Sequence, residues 1–233
     1  MRRLSILLAA LLISMGSLLA QNQQGFKRHI LSGTHAMLRV NPEKRYLLLP
    51  VEEKESESKV RVIKDGHSEE AIDIRLATGK PDYFVPLDLS CYGKDGILLD
   101  IVFSGNYRTV GNIEDYSCWQ QMRQSDTFDT TNRERWRPQY HHTPLWGWMN
   151  DPNGMFYKDG VWHLFYQFNP YGSIWGNMTW GHATSRDLLH WQYEGTPVKP
   201  DALGTIFSGS AIIDSANTAG FGNGAVVAYY TSA

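Results

Sequence analysis

The sequence predicts an all-β protein, and three observations carry that prediction. Residues 25–124 alternate apolar and polar side chains over short stretches, residues 136–233 read as successive aromatic-rich hairpins, and neither part has a convincing helical period. Strands that do not alternate with helical segments also exclude a parallel α/β fold.

The first twenty residues stand apart from that fold. Met1-Arg2-Arg3 is a basic start, "LSILLAALLISMGSLLA" is an apolar run, and the polar "QNQQ" follows. This order predicts a secretory signal peptide over 1–20, with cleavage after Ala20. No cysteine follows the run, which argues against a lipoprotein anchor, and the run is short for a membrane span. The expectation is a soluble chain exported to the periplasm or beyond the cell, with no membrane span after signal removal.

Residues 21–124 predict an antiparallel β-sandwich. In Ala71–Leu76, the residues Ile72, Ile74 and Leu76 share one side of a strand, and Val85, Leu87 and Leu89 repeat the pattern. Arg45–Val51, "KVRVIKDGHS" and "KDGILLDIVFSGN" add further strands, the last two with Asp-Gly turn signals. Tyr83, Tyr92 and Tyr107 suit a sugar face or a core, and a packing or spacing role is the favoured reading of this domain. The polar stretch "QSDTFDTTNRERWRPQ" lacks alternation and places a linker at 125–135. Beyond it, over 136–233, Val161–Phe168, Thr179–Ser185, Leu189–Tyr193, Ser208–Ile213 and Ala225–Thr231 read as strands.

Composition narrows the function. The net charge is −2 and no basic stripe accompanies the aromatics, so nucleic acid is not expected as a partner. Aromatic residues make up 12% of the chain and crowd into 136–193, which suits sugar stacking or a β-rich core. Cys91 and Cys118 are the only cysteines; they are expected either to pair in an oxidising compartment or to be two small buried thiols. No zinc site follows from two cysteines.

The stretch "WGWMNDPNGMFYKDGVWHLFYQFNP", 146–170, raises a sharper question. Asp-Pro-Asn-Gly is a good turn sequence, because proline presets φ while Asn and Gly accept positive φ. Asp151 is then either a solvated turn residue or a carboxylate set beside aromatic surface for chemistry.

The surrounding motifs decide between these readings. "RPQYHHTPLWGWMNDPNG", "WHLFYQFNP", "WGHATSRDLLHW" and "FSGSAI" follow one another over 137–213. In that order they closely resemble glycoside hydrolase family 32, the family of invertases, levanases and inulinases. The resemblance implies a five-bladed β-propeller after the sandwich, with a fructan or sucrose-type substrate bound in its axial funnel. It implies that Asp151 is the catalytic nucleophile of a retaining glycosidase. It also implies that Asn150 and Gln167 bind fructosyl hydroxyls, that Trp175 walls the pocket, and that Phe207 and Ser208 border the sugar ring. Amides of Asn150 and Asn153 are expected around the nucleophile. Trp162, Trp180 and Trp191 are expected in the core, and His141-His142 in packing.

His182, Asp187 and His190 lie where the family has a structural hairpin, so neither a metal nor a cofactor is expected. The sequon Asn177-Met178-Thr179 reads as incidental. The family also requires a stabilising Asp in an Arg-Asp-Pro motif and a general acid in a Glu-Cys motif. Neither occurs, and the only acid after Ser210 is Asp214. The expectation is therefore an incomplete propeller in a truncated and inactive family member. A non-catalytic exported carbohydrate-binding protein is the alternative from another class. A related five-bladed glycosidase that acts on pentosans or transfers fructosyl units fits the motifs less well.

Overall fold

A computed structural model describes residues 25–105, 111–131, 135–200 and 203–233. The signal-peptide expectation for 1–20, Tyr107 and residues 132–134 of the expected linker lie outside the described residues. The chain divides into two compact units, one ending at Phe128 and one beginning at Asp129.

The first unit contains β1 (Phe26–Ser32), β2 (His35–Val40), β3 (Tyr46–Val51), β4 (Ser58–Lys64), β5 (His67–Ile74), β6 (Tyr83–Asp88), β7 (Ile97–Val102) and β8 (Arg123–Ser125). They form a five-stranded sheet, β1-β2-β7-β4-β5, and a three-stranded sheet, β6-β3-β8, with every pairing antiparallel. Alternation explains the first sheet. Val60 and Val62 are buried while the alternating Lys59 and Arg61 are exposed, and Ile72, Ile74, Leu99 and Ile101 join the same core. Each such aliphatic side chain contributes about 1.5–3 kcal/mol when fully buried. The central strand of the smaller sheet, β3, is buried from Leu47 to Val51. Asp65 and Gly66 both take positive φ, as a two-residue hairpin turn demands.

The cysteines match neither expectation. Neither is in a disulfide; Cys118 is buried at the start of a one-turn helix, Cys118–Gln121, and Cys91 is exposed. Burial pushes the Cys118 thiol well above its usual range.

The second unit contains β9 (Trp148–Lys158), β10 (Val161–Asn169), β11 (Thr179–Ser185) and β12 (Gln192–Val198), a four-stranded antiparallel meander in the order β12-β11-β10-β9. β13 (Ile206–Asp214) and β14 (Ala225–Ser232) form a separate two-stranded sheet. The class is all-β, and the four-stranded meander is the unit from which propellers are built. One face of the meander buries Leu164, Tyr166, Phe168 and Ala183, with Trp146, Met149 and Trp191 packed against them. On the other face the Phe156 and His163 rings stack, as do those of Phe165 and His182. Trp180 is fully buried, and its indole nitrogen donates to the Phe207 carbonyl at 3.1 Å, tying the two sheets together. Trp162 and Trp191 are only half-buried, so of the three tryptophans expected in the core only Trp180 is enclosed.

Two local expectations are corrected. The Asp-Pro-Asn-Gly stretch is not a hairpin turn; it lies inside β9, and the hairpin turns at Asp159-Gly160, again with two positive φ values. Pro152 is tolerated because β9 is the edge strand of its sheet. The strand expected at Leu189–Tyr193 begins instead at Gln192. Ser185 Oγ accepts from the Asp187 and Leu188 amides, and Asp187 Oδ1 from those of Leu189 and His190. These four bonds curl 185–190 into a turn.

Candidate active site

The register between β9 and β10 builds the site. Met149 pairs with Phe168 and Pro152 with Tyr166, so Asn150 and Asp151 together oppose the single residue Gln167. A second shift follows: Asn153 pairs with Phe165 and Phe156 with His163, leaving Gly154 and Met155 opposite Leu164. Each is a β-bulge, which bends its strand and re-aims side chains. Gly154 has φ +57°, and a Cβ there would stand 3.1 Å from the Phe165 ring and 3.3 Å from that of Trp180. Glycine is required at that point by both backbone and space.

Asp151 is exposed, and Ser208 Oγ on β13 donates to its Oδ2 at 3.3 Å. The Asn153 side chain donates to the backbone carbonyl of Asp151, also at 3.3 Å. It steadies the bulge rather than the carboxylate, contrary to the expectation from sequence. Gln167 is 2% exposed, yet neither its Oε1 nor its Nε2 has a hydrogen-bond partner among the described residues. The buried Oδ1 atoms of Asn150 and Asn153 are in the same position. Leaving one such group unsatisfied costs about 1–3 kcal/mol, so these amides lack the partners that buried polar groups ordinarily have.

Among the sequence-derived candidates, Asn150, Asp151, Gln167 and Ser208 thus come together at one bulge. Phe207 adjoins them on β13, with its carbonyl held by Trp180. Trp175 is 56% exposed on the loop between β10 and β11. That loop leaves from Asn169, which pairs with Trp148 at the Asp151 end of the meander. Sequence reasoning did not single out Asn169, whose side chain organises this loop; the turn-favouring Asn-Pro dipeptide was the available signal.

The other titratable groups lie elsewhere. Asp214 is six residues from Ser208 along β13, about 20 Å of extended strand. Its carboxylate accepts from the Thr218 and Ala219 amides at 2.9 and 2.8 Å, which lower its pKa. It cannot be the second carboxyl of a retaining pair, which must lie roughly 5 Å from the first. His182 shares a 3.0 Å nitrogen–nitrogen hydrogen bond with His163, and burial lowers its pKa. His190 Nδ1 instead lies 2.7 Å from Asp187 Oδ2. The sequon is built into the fold: Asn177 donates its amide to Asn169, and Thr179 is 1% exposed.

The Asp187–His190 pair makes a pH prediction. Asp187 raises the His190 pKa, and the His190 ring and amide together hold Asp187 well below the usual carboxylate range. The histidine's contribution is therefore full below its unfolded pKa of about 6.5 and disappears as pH rises through the higher folded value. The aspartate's contribution disappears as pH falls below its unfolded value of about 3.9. NMR titration should place His190 above an ordinary histidine, and Asp187→Asn should bring it back down.

Comparison with known proteins finds matches to both parts of the chain. Residues 141–233 match the glycosyl hydrolases family 32 N-terminal domain, and residues 32–140 match a domain of unknown function, DUF4980. Levanase of Bacillus subtilis (strain 168) is 56% identical over 101 residues, 42% of this chain and 15% of that protein. An extracellular exo-inulinase of Aspergillus niger is 49% identical over 105 residues, 42% of this chain and 20% of that one. The fructofuranosidase from Schwanniomyces occidentalis, solved with fructose, aligns at 44% identity and a TM-score of 0.39, covering 45% of this chain and 22% of that one. The chain therefore spans a fifth or less of the length of the two curated relatives. Residues 141–233 are thus similar to the N-terminal domain of glycoside hydrolase family 32.

Proposed function

We propose that residues 136–233 supply the nucleophile and part of the fructosyl pocket of a retaining glycosidase. Its substrates are the β-fructosidic bonds of fructans or sucrose. The observation that carries this reading is the bulge that sets Asn150 and Asp151 opposite Gln167, whose buried amide has no partner among the described residues. Ser208 Oγ engages Oδ2 of Asp151, leaving Oδ1 to attack the anomeric carbon. The new carbon–oxygen bond forms as the glycosidic bond breaks, and the departing oxygen takes its proton from a general acid. Water then releases fructose from the covalent intermediate. Positive charge developing on the anomeric carbon is offset by the nearby carboxylate. Gln167 and Asn150 bind sugar hydroxyls, and Trp175 and Phe207 provide apolar borders.

The family's proton donor sits in a Glu-Cys motif and its stabilising acid in Arg-Asp-Pro; neither motif occurs within the 233 residues. General acid catalysis contributes about 10²–10⁴-fold, so residues 21–233 alone should release no measurable fructose from levan, inulin or sucrose. The positive test is a chimera. Residues 141–233 replace the matching segment of the Bacillus subtilis levanase, to which this chain is 56% identical over 101 residues. The chimera should hydrolyse levan; a folded chimera without activity contradicts the proposal.

The domain plan belongs to the same reading: a signal peptide at 1–20, a sandwich at 21–124, a linker at 125–135 and the catalytic part from 136. Export to the periplasm or medium follows from the signal, and no described helix is long and apolar enough to cross a membrane. The sandwich itself is a packing domain rather than a sugar platform. Among its described residues, Leu31 is the one large apolar side chain that is exposed. The rings of Trp119, Tyr46 and Phe84 each carry an arginine, at 5.1, 4.9 and 4.1 Å. Tyr83 bonds Glu53, and Tyr92 is buried against Glu70. Stacking a sugar on these rings would require displacing a cation from its ring.

A further inference from the structure

The loop between β10 and β11 holds one more functional residue. Asn169 is 3% exposed, and its side chain pins that loop at three points. Its Oδ1 accepts from the Tyr171 amide at 2.9 Å and from the Asn177 side chain at 3.0 Å. Its Nδ2 donates to the Ile174 carbonyl at 2.9 Å, one residue before Trp175. Both lone pairs of the amide oxygen are thereby used, on the first and last residues of a seven-residue arc, while the nitrogen holds its middle. Asn177 closes the arc with φ +42°, a left-handed conformation that asparagine tolerates better than most residues.

Trp175 itself is more than half exposed at the tip of the arc. We infer that Asn169 is a positioning residue, whose buried amide sets where Trp175 stands and thereby how tightly the fructosyl chain is held. The inference rests on the proposed role of Trp175 as a pocket wall. A buried amide suits this task, because its three bonds are local, directional and shielded from water. Without them the arc has seven residues of backbone freedom and Trp175 samples several positions.

Fluorine NMR on the 5-fluorotryptophan-labelled chain tests this, with Trp175→Phe assigning the resonance. The Trp175 line should be single and sharp, and Asn169→Ala should broaden or split it while leaving the other tryptophan lines in place. Asn169→Asp keeps both acceptor bonds but loses the donor to Ile174, so it should give an intermediate line. In the unsubstituted chain, one proton of the Asn169 amide should exchange slowly with solvent. An unchanged Trp175 line in Asn169→Ala, or a fast-exchanging Asn169 amide, overturns the inference.

A second arm concerns sugar. Binding of an inulin oligosaccharide should weaken about tenfold in Trp175→Ala and in Asn169→Ala, and no further in the double variant, because one residue acts through the other. Additive losses contradict that route. If the unsubstituted chain does not bind the oligosaccharide, the pocket reading fails, while the fluorine spectra still decide whether Asn169 positions the loop.

Discussion

Replacing Asp151 by alanine in the levanase chimera is expected to cut fructose release on the order of 10⁴–10⁶-fold, the range seen when a member of a catalytic group is removed from a well-characterised hydrolase. Folding should be untouched. Asp151 is exposed, and its one side-chain bond to a described residue is the 3.3 Å contact from Ser208. Substitutions at such positions change stability within about 0.5 kcal/mol. Added azide, small enough to occupy the vacated space, should attack the anomeric carbon from the same side and yield the fructosyl azide. A chimera that kept its turnover after this substitution would leave Asp151 as a strand residue with no chemical role.

Gln167→Met is expected to move stability and activity in opposite directions. Methionine matches the length and approximate volume of glutamine and removes two buried atoms that have no partner among the described residues. Swapping unsatisfied polar atoms for apolar ones of the same shape is neutral to stabilising, so the melting temperature should hold or rise. The pocket would meanwhile lose its hydrogen bonds to the sugar. In the chimera kcat/KM should fall about 10–100-fold, equivalent to roughly 1–3 kcal/mol. If Gln167 were only a strand residue bonded to backbone, the substitution would lower stability and leave the kinetics unchanged. Thermal melts of the 233-residue chain and steady-state kinetics of the chimera separate the two outcomes.

The sequence made the strands legible where a single face is buried. The Val60/Val62 and Ile72/Ile74 alternations are direct images of a half-buried sheet, and the Asp65-Gly66 and Asp159-Gly160 turns follow from positive φ. The Asp-Pro-Asn-Gly stretch was misread because a bulge and a tight turn make the same local demands: proline at a preset φ and glycine at a positive one. What separates them is the partner strand. Gln167 sits opposite two residues instead of one, and a single strand's sequence does not encode that. Leu189 read as the start of a strand because it is apolar. Ser185 and Asp187 capture the amides there instead, leaving Leu189 78% exposed.

Site residues were legible for a different reason. Asn150, Asp151, Gln167 and Ser208 were found by motif resemblance, and the fold brings them to one bulge, whereas composition and periodicity gave no sign of them. The unsatisfied amides depend on which way side chains turn inside the folded meander, and they were invisible beforehand. So was the division of labour at Asn153, which spends its amide on the Asp151 backbone rather than on the carboxylate.

The account depends on the Asp151 carboxylate forming a bond to an anomeric carbon. A fructosyl fluoride bearing a second fluorine beside that carbon slows release of the covalent intermediate, so the adduct accumulates on the chimera and survives digestion. Tandem mass spectrometry should locate the fluorofructosyl group on the peptide spanning 148–158, at Asp151. An adduct on any other residue, or rapid turnover of the reagent with no adduct at all in an active chimera, would contradict it.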